Sequence, residues 1–251
     1  MKKILIPIPS KGFDPTETAI PWKQLKENNF EVVFATPNGK IATGDMIMIT
    51  GKNLGIFKRL LIARKDARDA YFEMIESKNF KNPISYSEIK GSEFDALFLP
   101  GGHDKTVREY LESKILQNVV VDFFNSNKKV AAVCHGLVLM ARSIDPKTNH
   151  SVLYNYKTTS LLKQQELMGY NLTKMWVGDY YLTYPEITVE DEVKACLQDS
   201  NNFINGPKPI FRDSQKNMKV GFALRDKNFI SARWPGDIYN ISIEFIKMLN
   251  E

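Results

Sequence analysis

Apolar runs of the length typical of buried strands recur along this chain, and stretches with helical periodicity separate them. Such runs predict strands whose two faces are both covered, as in a parallel sheet. Because alternating strands and helices build sheets of this kind, we expect an α/β fold: a three-layer sandwich with a mostly parallel central sheet. The runs are Lys2–Ile8, Phe30–Thr36, Phe94–Pro100 and Lys128–Val133.

Several of the helical stretches have recognisable limits. Asp14 is followed by proline, an arrangement typical of a helix start, and this helix is expected to reach about Asn28. Residues 106–126 predict a helix with a break near Ser113. The chain closes with a helix for which Asp237 is the predicted N-cap.

Two regions interrupt the simple alternation of strands and helices. Residues 41–90 begin with a glycine-rich, irregular segment and are interpreted as an insertion. Residues 145–205 are interpreted as a cap beside the sheet. Residues 219–226 and 228–232 predict a late pair of strands joined by a tight turn. No long linker is visible, so we expect residues 1–251 to form one domain with these two additions.

The composition fits a globular protein and argues against membrane insertion. Of the 251 residues, 43% are hydrophobic and 25% are charged, which is enough apolar material for one large core. No stretch approaches the roughly 18 consecutive apolar residues of a membrane span. The N-terminal apolar segment is short and contains Pro7 and Pro9, so it reads as a strand and not as a signal peptide. We therefore expect a cytoplasmic protein with no membrane partner.

Charge and cysteine content exclude further classes of function. The net charge is +5, but the lysines are scattered and no nucleic-acid recognition motif accompanies them, so no nucleic-acid partner is expected. The densest basic segment, Lys58–Arg68, reads as the solvated face of a helix over residues 57–77, with Leu60 on or near the core side. Cys134 and Cys196 are the only cysteines, so we predict no disulfide framework and no metal site.

Cys134 stands where a predicted strand meets a predicted helix. A turn of this kind pushes a side chain out of the sheet, as in the nucleophile elbow of hydrolases. The positive end of the following helix favours a thiolate. The alternative is a cysteine that fills the core as a small hydrophobic residue, and the local sequence favours neither reading.

His135 follows the cysteine directly and is one of only three histidines in the chain. An imidazole in this position could accept the proton that a nucleophilic thiol gives up. A histidine that merely packs at the turn is the alternative.

The Gly-Gly pair after the third strand could supply backbone donors. Gly101 and Gly102 allow a sharp turn with exposed N–H groups, and an oxyanion requires such donors. The N–H groups of Gly102 and His135 are the candidates, and Gly101 and His103 are candidates for lining the pocket. An ordinary glycine turn is the alternative.

Each of these features follows the end of a predicted strand. In a parallel sheet the carboxyl ends of the strands lie at the same edge. The loop after Ile8, the Gly-Gly after Leu99 and the cysteine after Val133 all occupy such positions. Active sites in open α/β sheets lie at this edge. Near it, Glu17 has the spacing from Asp14 of a capping box, which would explain this acid without any catalytic role.

Two motifs give the chain a resemblance to a known family. The segments "AAVCHG" and, upstream, "FLPGGHD" resemble the ThiJ/PfpI superfamily, whose fold is flavodoxin-like and similar to that of class I glutamine amidotransferases. The segments "ETAIPWKQLKENNFEVVFATPNGK", "KTTSLLKQQE" and "TVEDEVKA" resemble the chaperone and glyoxalase III branch most closely. The resemblance covers most of the chain and implies the fold expected above.

The resemblance also implies roles for particular residues. The family nucleophile falls on Cys134, its histidine on His135, and the glutamate that hydrogen-bonds the cysteine on Glu17. The third acid of the branch's triad falls on Glu166, for which a surface helix acid is the alternative.

The chain departs from the family pattern at two positions. Leu137 replaces a frequent proline after Cys-His-Gly, and "ARWPGD" replaces a frequent Asn-Pro after the last strand. Arg233 and Trp234 are therefore expected near the crevice, where they would affect the choice of substrate.

Three functions remain open at this point. The resemblance implies a cofactor-independent glyoxalase III, which converts methylglyoxal to lactate and so removes reactive carbonyls. The same cysteine could serve an amidase or peptidase acting on an amide substrate. A stress-related holding chaperone would instead need an exposed apolar patch, of the kind a homodimer interface provides, and the aromatic segment Trp176–Tyr184 could contribute to it or line the cap.

Overall fold

A seven-stranded sheet forms the centre of the computed structural model, which describes all residues from 1 to 251. The strand order is β10-β11-β7-β6-β1-β3-β5, and every pair is parallel except β10 with β11. The strands are β1 (Lys3–Pro7), β2 (Lys11–Phe13), β3 (Glu31–Thr36), β4 (Thr43–Gly44), β5 (Ile84–Ser85), β6 (Ala96–Leu99), β7 (Lys129–Val133), β8 (Ile144–Asp145), β9 (His150–Ser151), β10 (Ala223–Asp226) and β11 (Phe229–Ala232).

Two groups of helices cover the sheet, which confirms the predicted flavodoxin-like sandwich. The helices α1, α4 and α11 contact one another, and α8 contacts α7 and α10. The helices are α1 (Pro15–Glu27), α2 (Met46–Thr50), α3 (Lys58–Leu61), α4 (Lys65–Glu76), α5 (Lys78–Lys81), α6 (Arg108–Leu111), α7 (Lys114–Asn125), α8 (Gly136–Ala141), α9 (Lys163–Val177), α10 (Val189–Ala195) and α11 (Ile238–Asn250).

The register of the central strands brings their carboxyl ends level. Leu99 in β6 pairs with Ala132 in β7, and Val133 pairs with Ala232 in β11. The glycine pair, Cys134 and the segment after β11 therefore leave the sheet at the same edge. Nearly all the buried apolar side chains belong to one core cluster that joins the sheet to its helices.

A second, small apolar cluster joins the two regions that interrupt the alternation. It consists of Met48 and Leu54 from the insertion together with Tyr180 and Tyr181 from the cap. Within the aromatic segment Trp176–Tyr184, the three tyrosines Tyr180, Tyr181 and Tyr184 are buried, whereas Trp176 is 44% exposed. This packing holds the cap against the insertion above the sheet edge.

The predicted break near Ser113 is confirmed, because Ser113 accepts a hydrogen bond from the Leu116 N–H and so begins α7. The predicted helix over residues 57–77 is wrong in one respect: α3 ends at Leu61 and α4 begins at Lys65. Leu60 is 62% exposed and does not face the core. The break leaves backbone carbonyls around residue 61 free to bind a side chain from elsewhere.

Asp237 precedes α11 as predicted, but its side chain does not cap that helix. Its carboxylate instead accepts two hydrogen bonds from Arg233, at 2.8 Å from Nε and 2.9 Å from Nη2. Both side chains are fully buried, and Arg233 also binds the carbonyls of Asn205 and Pro207. The Asp237 carboxylate is therefore bound by the buried arginine and not by the first turn of α11. The same arginine holds the loop around Asn205 and Pro207 at the edge of the sheet.

No helix combines the length and the apolarity that crossing a bilayer requires.

Breaking the buried ion pair should destabilise the fold. Arg233→Met leaves the Asp237 carboxylate buried without its partner, so we expect the free energy of unfolding to fall by about 3–5 kcal/mol. Arg225→Met is the matched control because its pair with Glu251 is exposed, and it should cost about 1 kcal/mol or less. Urea unfolding measures both, and equal small losses would contradict a structural role for Arg233.

Candidate active site

Cys134 adopts a backbone conformation that is uncommon for a residue with a side chain. Its φ is 56°, between the end of β7 at Val133 and the start of α8 at Gly136. Its N–H still continues the sheet by donating to the Ala232 carbonyl at 3.2 Å. The chain therefore turns sharply at this one residue, as the elbow interpretation requires, although α8 is only six residues long.

Two glycines make the close packing around this turn possible. A Cβ atom on Gly136 would lie 2.4 Å from the Leu99 carbonyl oxygen. A Cβ atom on Gly101 would lie 2.7 Å from the His135 nitrogen and 2.9 Å from Glu17 Oε2. A side chain at either position would push apart the segments that carry the cysteine and the acid.

His135 is buried and joins the sulfur to the cap. Its Nδ1 lies 3.3 Å from the Cys134 sulfur, and its Nε2 lies 2.9 Å from Thr183 Oγ1. The Thr183 hydroxyl donates its own hydrogen to the His103 carbonyl at 2.7 Å. Threonine has a single hydroxyl hydrogen, so His135 Nε2 must carry the proton that Thr183 accepts. Nδ1 is then the free acceptor for the thiol proton.

The imidazole of His135 is neutral in this environment. Burial lowers its pKa well below the ordinary value, and the nearby His103 lowers it further. A neutral ring with its proton fixed on Nε2 is the form that can accept a proton from the cysteine.

Glu17 does not form the capping box that its spacing suggested. Asp14 caps α1 by accepting from the N–H groups of Thr16 and Glu17, but the Asp14 N–H donates to the Gly101 carbonyl at 2.9 Å. Glu17 Oε2 accepts from the Gly101 N–H at 2.9 Å, and its buried Oε1 has no hydrogen-bond partner. The glutamate therefore points away from the helix start and toward Cys134, with which it interacts.

Burial raises the pKa of the Glu17 carboxyl well above its ordinary value, and the negative charge of Asp14 raises it further. Burial also raises the pKa of the Cys134 thiol, and a negative charge on Glu17 raises it further. The two groups oppose each other's negative charge, so the pair carries at most one. A neutral Glu17 has its unpartnered oxygen available to hold a proton.

One of the two suggested oxyanion donors contacts the sulfur. The His135 N–H interacts with the Cys134 sulfur and lowers the pKa of the thiol, against the larger effect of burial. The Gly102 N–H makes no hydrogen bond within the protein. It is therefore free to donate to a ligand.

A cavity of about 450 Å³ opens between the cap and the insertion. His103, Trp234 and Glu166 line it, whereas Cys134 has no exposed surface and does not. His103 connects the two, because a ring nitrogen of His103 and the Cys134 sulfur lie within 4.8 Å of each other. The cavity therefore ends one side chain away from the sulfur.

Two residues suggested by the sequence are not brought to the reacting atoms. Glu166 accepts from the Val189 N–H at 3.0 Å and makes no hydrogen bond to His135, and its pKa is raised by burial to about 7. Arg233 does not line the cavity because Asp237 and the loop carbonyls hold it. The partner of His135 is Thr183, which sequence reasoning missed; its only signal was its place in the aromatic cap segment.

His103, Cys134 and His135 together could bind a soft metal ion, since their potential ligand atoms all lie within 4.8 Å of one another. The cysteine content alone predicted no metal site. His103 follows β6 and His135 follows β7, so their proximity to each other is not visible in the sequence. A metal bound there would occupy the sulfur lone pair and so compete with nucleophilic chemistry.

Comparison with known proteins identifies relatives of this chain. The family model described as ThiJ/PfpI family-like matches residues 8–207. Glutathione-independent glyoxalase hsp3102 of Schizosaccharomyces pombe is 30% identical over 161 residues, which cover 63% of this chain and 63% of that protein. Deglycase TK1284 of Thermococcus kodakarensis is 25% identical over 248 residues, covering 98% of this chain and 99% of that protein.

A solved structure extends the likeness to the fold. The crystal structure of glyoxalase III from Candida albicans superposes with a TM-score of 0.70 at 18% identity and covers 98% of this chain and 97% of that one. The family model spans most of the chain, including the cysteine turn, the glycine pair and the cap. The chain therefore belongs to the ThiJ/PfpI family, and its relatives within that family include glyoxalases of the glyoxalase III type.

Proposed function

We propose that this protein is a cysteine enzyme that converts α-oxoaldehydes to α-hydroxy acids without an added cofactor, as in the conversion of methylglyoxal to lactate. One observation carries the proposal: the Cys134 sulfur lies between the His135 imidazole and the Glu17 carboxyl group, and burial shifts the pKa of each toward the neutral form. The names of the glyoxalase relatives support it. The overall conversion is an internal oxidation and reduction followed by hydrolysis, so it needs no external oxidant.

The first step forms a bond between sulfur and the aldehyde carbon. The thiol gives its proton to His135 Nδ1, while Glu17 protonates the aldehyde oxygen, and the product is a hemithioacetal. The N–H groups of Gly102 and His135 stabilise negative charge on that oxygen as the bond forms. Thr183 keeps His135 in the tautomer that accepts the proton.

The second step moves hydrogen between the two substrate carbons. Glu17 is now a carboxylate with a raised pKa, which makes it a better base than an ordinary carboxylate. It removes the proton from the sulfur-bearing carbon and returns it to the neighbouring carbon, while the hydroxyl proton passes to the second oxygen. The product is a thioester, which water hydrolyses to the hydroxy acid and the free thiol.

Substrate entry requires the His103 ring to move, because this ring separates the cavity from the sulfur. Its Nδ1 is buried without a hydrogen-bond partner, and the ring packs against the aromatic rings of His135, Tyr180 and Tyr181. No hydrogen bond of Nδ1 must break when the ring turns. Closure of the ring behind a bound aldehyde would exclude water from the enediol step.

Removal of the nucleophile should abolish turnover. Cys134→Ala is expected to reduce lactate formation from methylglyoxal in glutathione-free buffer by about 10³-fold or more, because no covalent intermediate can form. Cys196→Ala is the matched control, since this cysteine lies in the cap and should leave the rate unchanged. Turnover of amides in place of aldehydes, with the same dependence on Cys134, would establish a hydrolase instead.

Removal of the proton carrier should affect the chemical step. Glu17→Gln keeps an oxygen for the Gly101 N–H but cannot carry a proton, so we expect kcat to fall about 10²-fold with little change in KM. Thermal unfolding of the variant checks that the fold is intact. Unchanged kcat in a folded Glu17→Gln protein would show that the glutamate only orders the turn.

Thr183 should act as a positioning residue through its hydroxyl. Thr183→Val removes the acceptor for His135 Nε2–H, so we expect kcat to fall about tenfold while KM stays nearly constant. Thr183→Ser keeps the hydroxyl and should retain the native rate to within about twofold. A loss in Thr183→Ser together with a native rate in Thr183→Val would mean that only the threonine methyl group matters, through packing of the cap.

A further inference from the structure

The cavity beside the site is large for the small aldehyde that serves as the reference substrate. Its volume of about 450 Å³ lies within the range of about 300–1,000 Å³ that holds drug-sized ligands. A three-carbon dicarbonyl would leave most of this space to water. The volume of the cavity therefore suits a carbonyl compound that is considerably larger than methylglyoxal.

The mouth of the cavity is apolar. Four lining side chains are also exposed to solvent at the entrance: Leu60 at 62%, Met168 at 54%, Ile210 at 69% and Phe211 at 70%. They come from α3, from α9 and from the loop that Arg233 holds, so distant parts of the chain build one apolar rim. Exposed apolar side chains that surround a concave site are typical of ligand-binding grooves.

Arg212 places a positive charge on the wall of this cavity without a carboxylate partner. Its guanidinium donates to the carbonyls of Leu60, Leu61 and Ile62, where the predicted helix is broken. No carboxylate lies within ion-pair distance of it. These bonds leave guanidinium donors, including the Nε–H, without an acceptor in the protein.

None of the other charged groups of the cavity forms an ion pair with Arg212. The negative charge of Asp14 acts on the guanidinium, but the Asp14 carboxylate accepts from the first N–H groups of α1, and Glu166 accepts from the Val189 N–H. Arg64 is paired with Asp66. Arg59 lines the cavity as a further cation without an ion-pair partner. The wall thus combines an apolar mouth with three arginines against two carboxylates.

We propose that the cavity binds carbonyl compounds that have an apolar body and an anionic group, with the anion at Arg212 and the carbonyl directed toward Cys134. The direction of the carbonyl rests on the proposed function, whereas the anion site does not. A carboxylate would supply the acceptors that the guanidinium lacks, and the apolar mouth would cover the body of the ligand. Methylglyoxal is then a minimal substrate that uses only the innermost part of the site.

Binding of two unreactive ketones tests the anion site directly. The probes are para-acetylbenzoate and its neutral methyl ester, which share the same body and carbonyl, and calorimetry measures their affinities. We expect the native protein to bind the acid about tenfold more tightly than the ester, because only the acid gains a charge-assisted bond. Equal affinities in the native protein would overturn the proposal.

Variants at Arg212 separate ligand binding from a purely structural role. Arg212→Met should abolish the preference for the acid while the ester affinity stays within about twofold of native, and Arg212→Lys should keep part of the preference. Arg225→Met, which removes an exposed charge paired with Glu251, is the matched control and should change neither affinity. A parallel loss for acid and ester in Arg212→Met would mean that Arg212 only ties its loop to α3.

A turnover assay then separates this inference from the proposed function. The native enzyme should have a kcat/KM for para-carboxyphenylglyoxal at least about tenfold above that for methylglyoxal, and Arg212→Met should lose this advantage through KM. Retained preference for the acid ketone with no turnover of any oxoaldehyde would overturn the proposed reaction and leave the anion site intact. Turnover of both oxoaldehydes without any preference would overturn the anion site alone.

Discussion

The strained turn at Cys134 is the constraint on which the rest of the site depends. A left-handed conformation costs a residue with a side chain about 1–2 kcal/mol, and the sheet holds it in place from both sides. Gly101 and Gly136 have no side chains, so the neighbouring segments can press against the turn. The sulfur is thereby fixed between His135 and Glu17, and the unfavourable backbone angle is offset by the packing of the whole sheet edge.

Burial then sets the protonation states that the chemistry needs. The same dry surroundings that raise the pKa of Glu17 lower that of His135, so burial favours the neutral form of both groups before substrate arrives. In the proposed first step His135 gains a positive charge while Glu17 gains a negative charge. Proton movement is thereby coupled to formation of the bond at sulfur. His103 closes this compartment from the cavity, and the cap that carries Thr183 completes the hydrogen bonds of the imidazole.

Local patterns were sufficient for β1, β3, β6 and β7, for the place of the strand-to-helix turn at Cys134 and for the helix start at Asp14, because each depends on neighbours in sequence. Glu17 could be assigned beyond capping only through the family resemblance, since its partner Gly101 comes from another strand end. Thr183 and Arg212 escaped prediction because their roles depend on contacts across the cap and insertion. The departure from the family pattern after the last strand suggested that Arg233 lines the crevice, but Asp237 holds it in a buried ion pair.

Competitive alkylation of the two cysteines under native conditions tests the central claim that Cys134 is an activated nucleophile. Cys196 is partly exposed, whereas Cys134 has no exposed surface, so exposure alone would favour Cys196. With limiting iodoacetamide and peptide mass spectrometry, we expect Cys134 to react at least about tenfold faster, because His135 Nδ1 accepts its proton. Faster modification of Cys196 would contradict the assignment of Cys134 as the nucleophile.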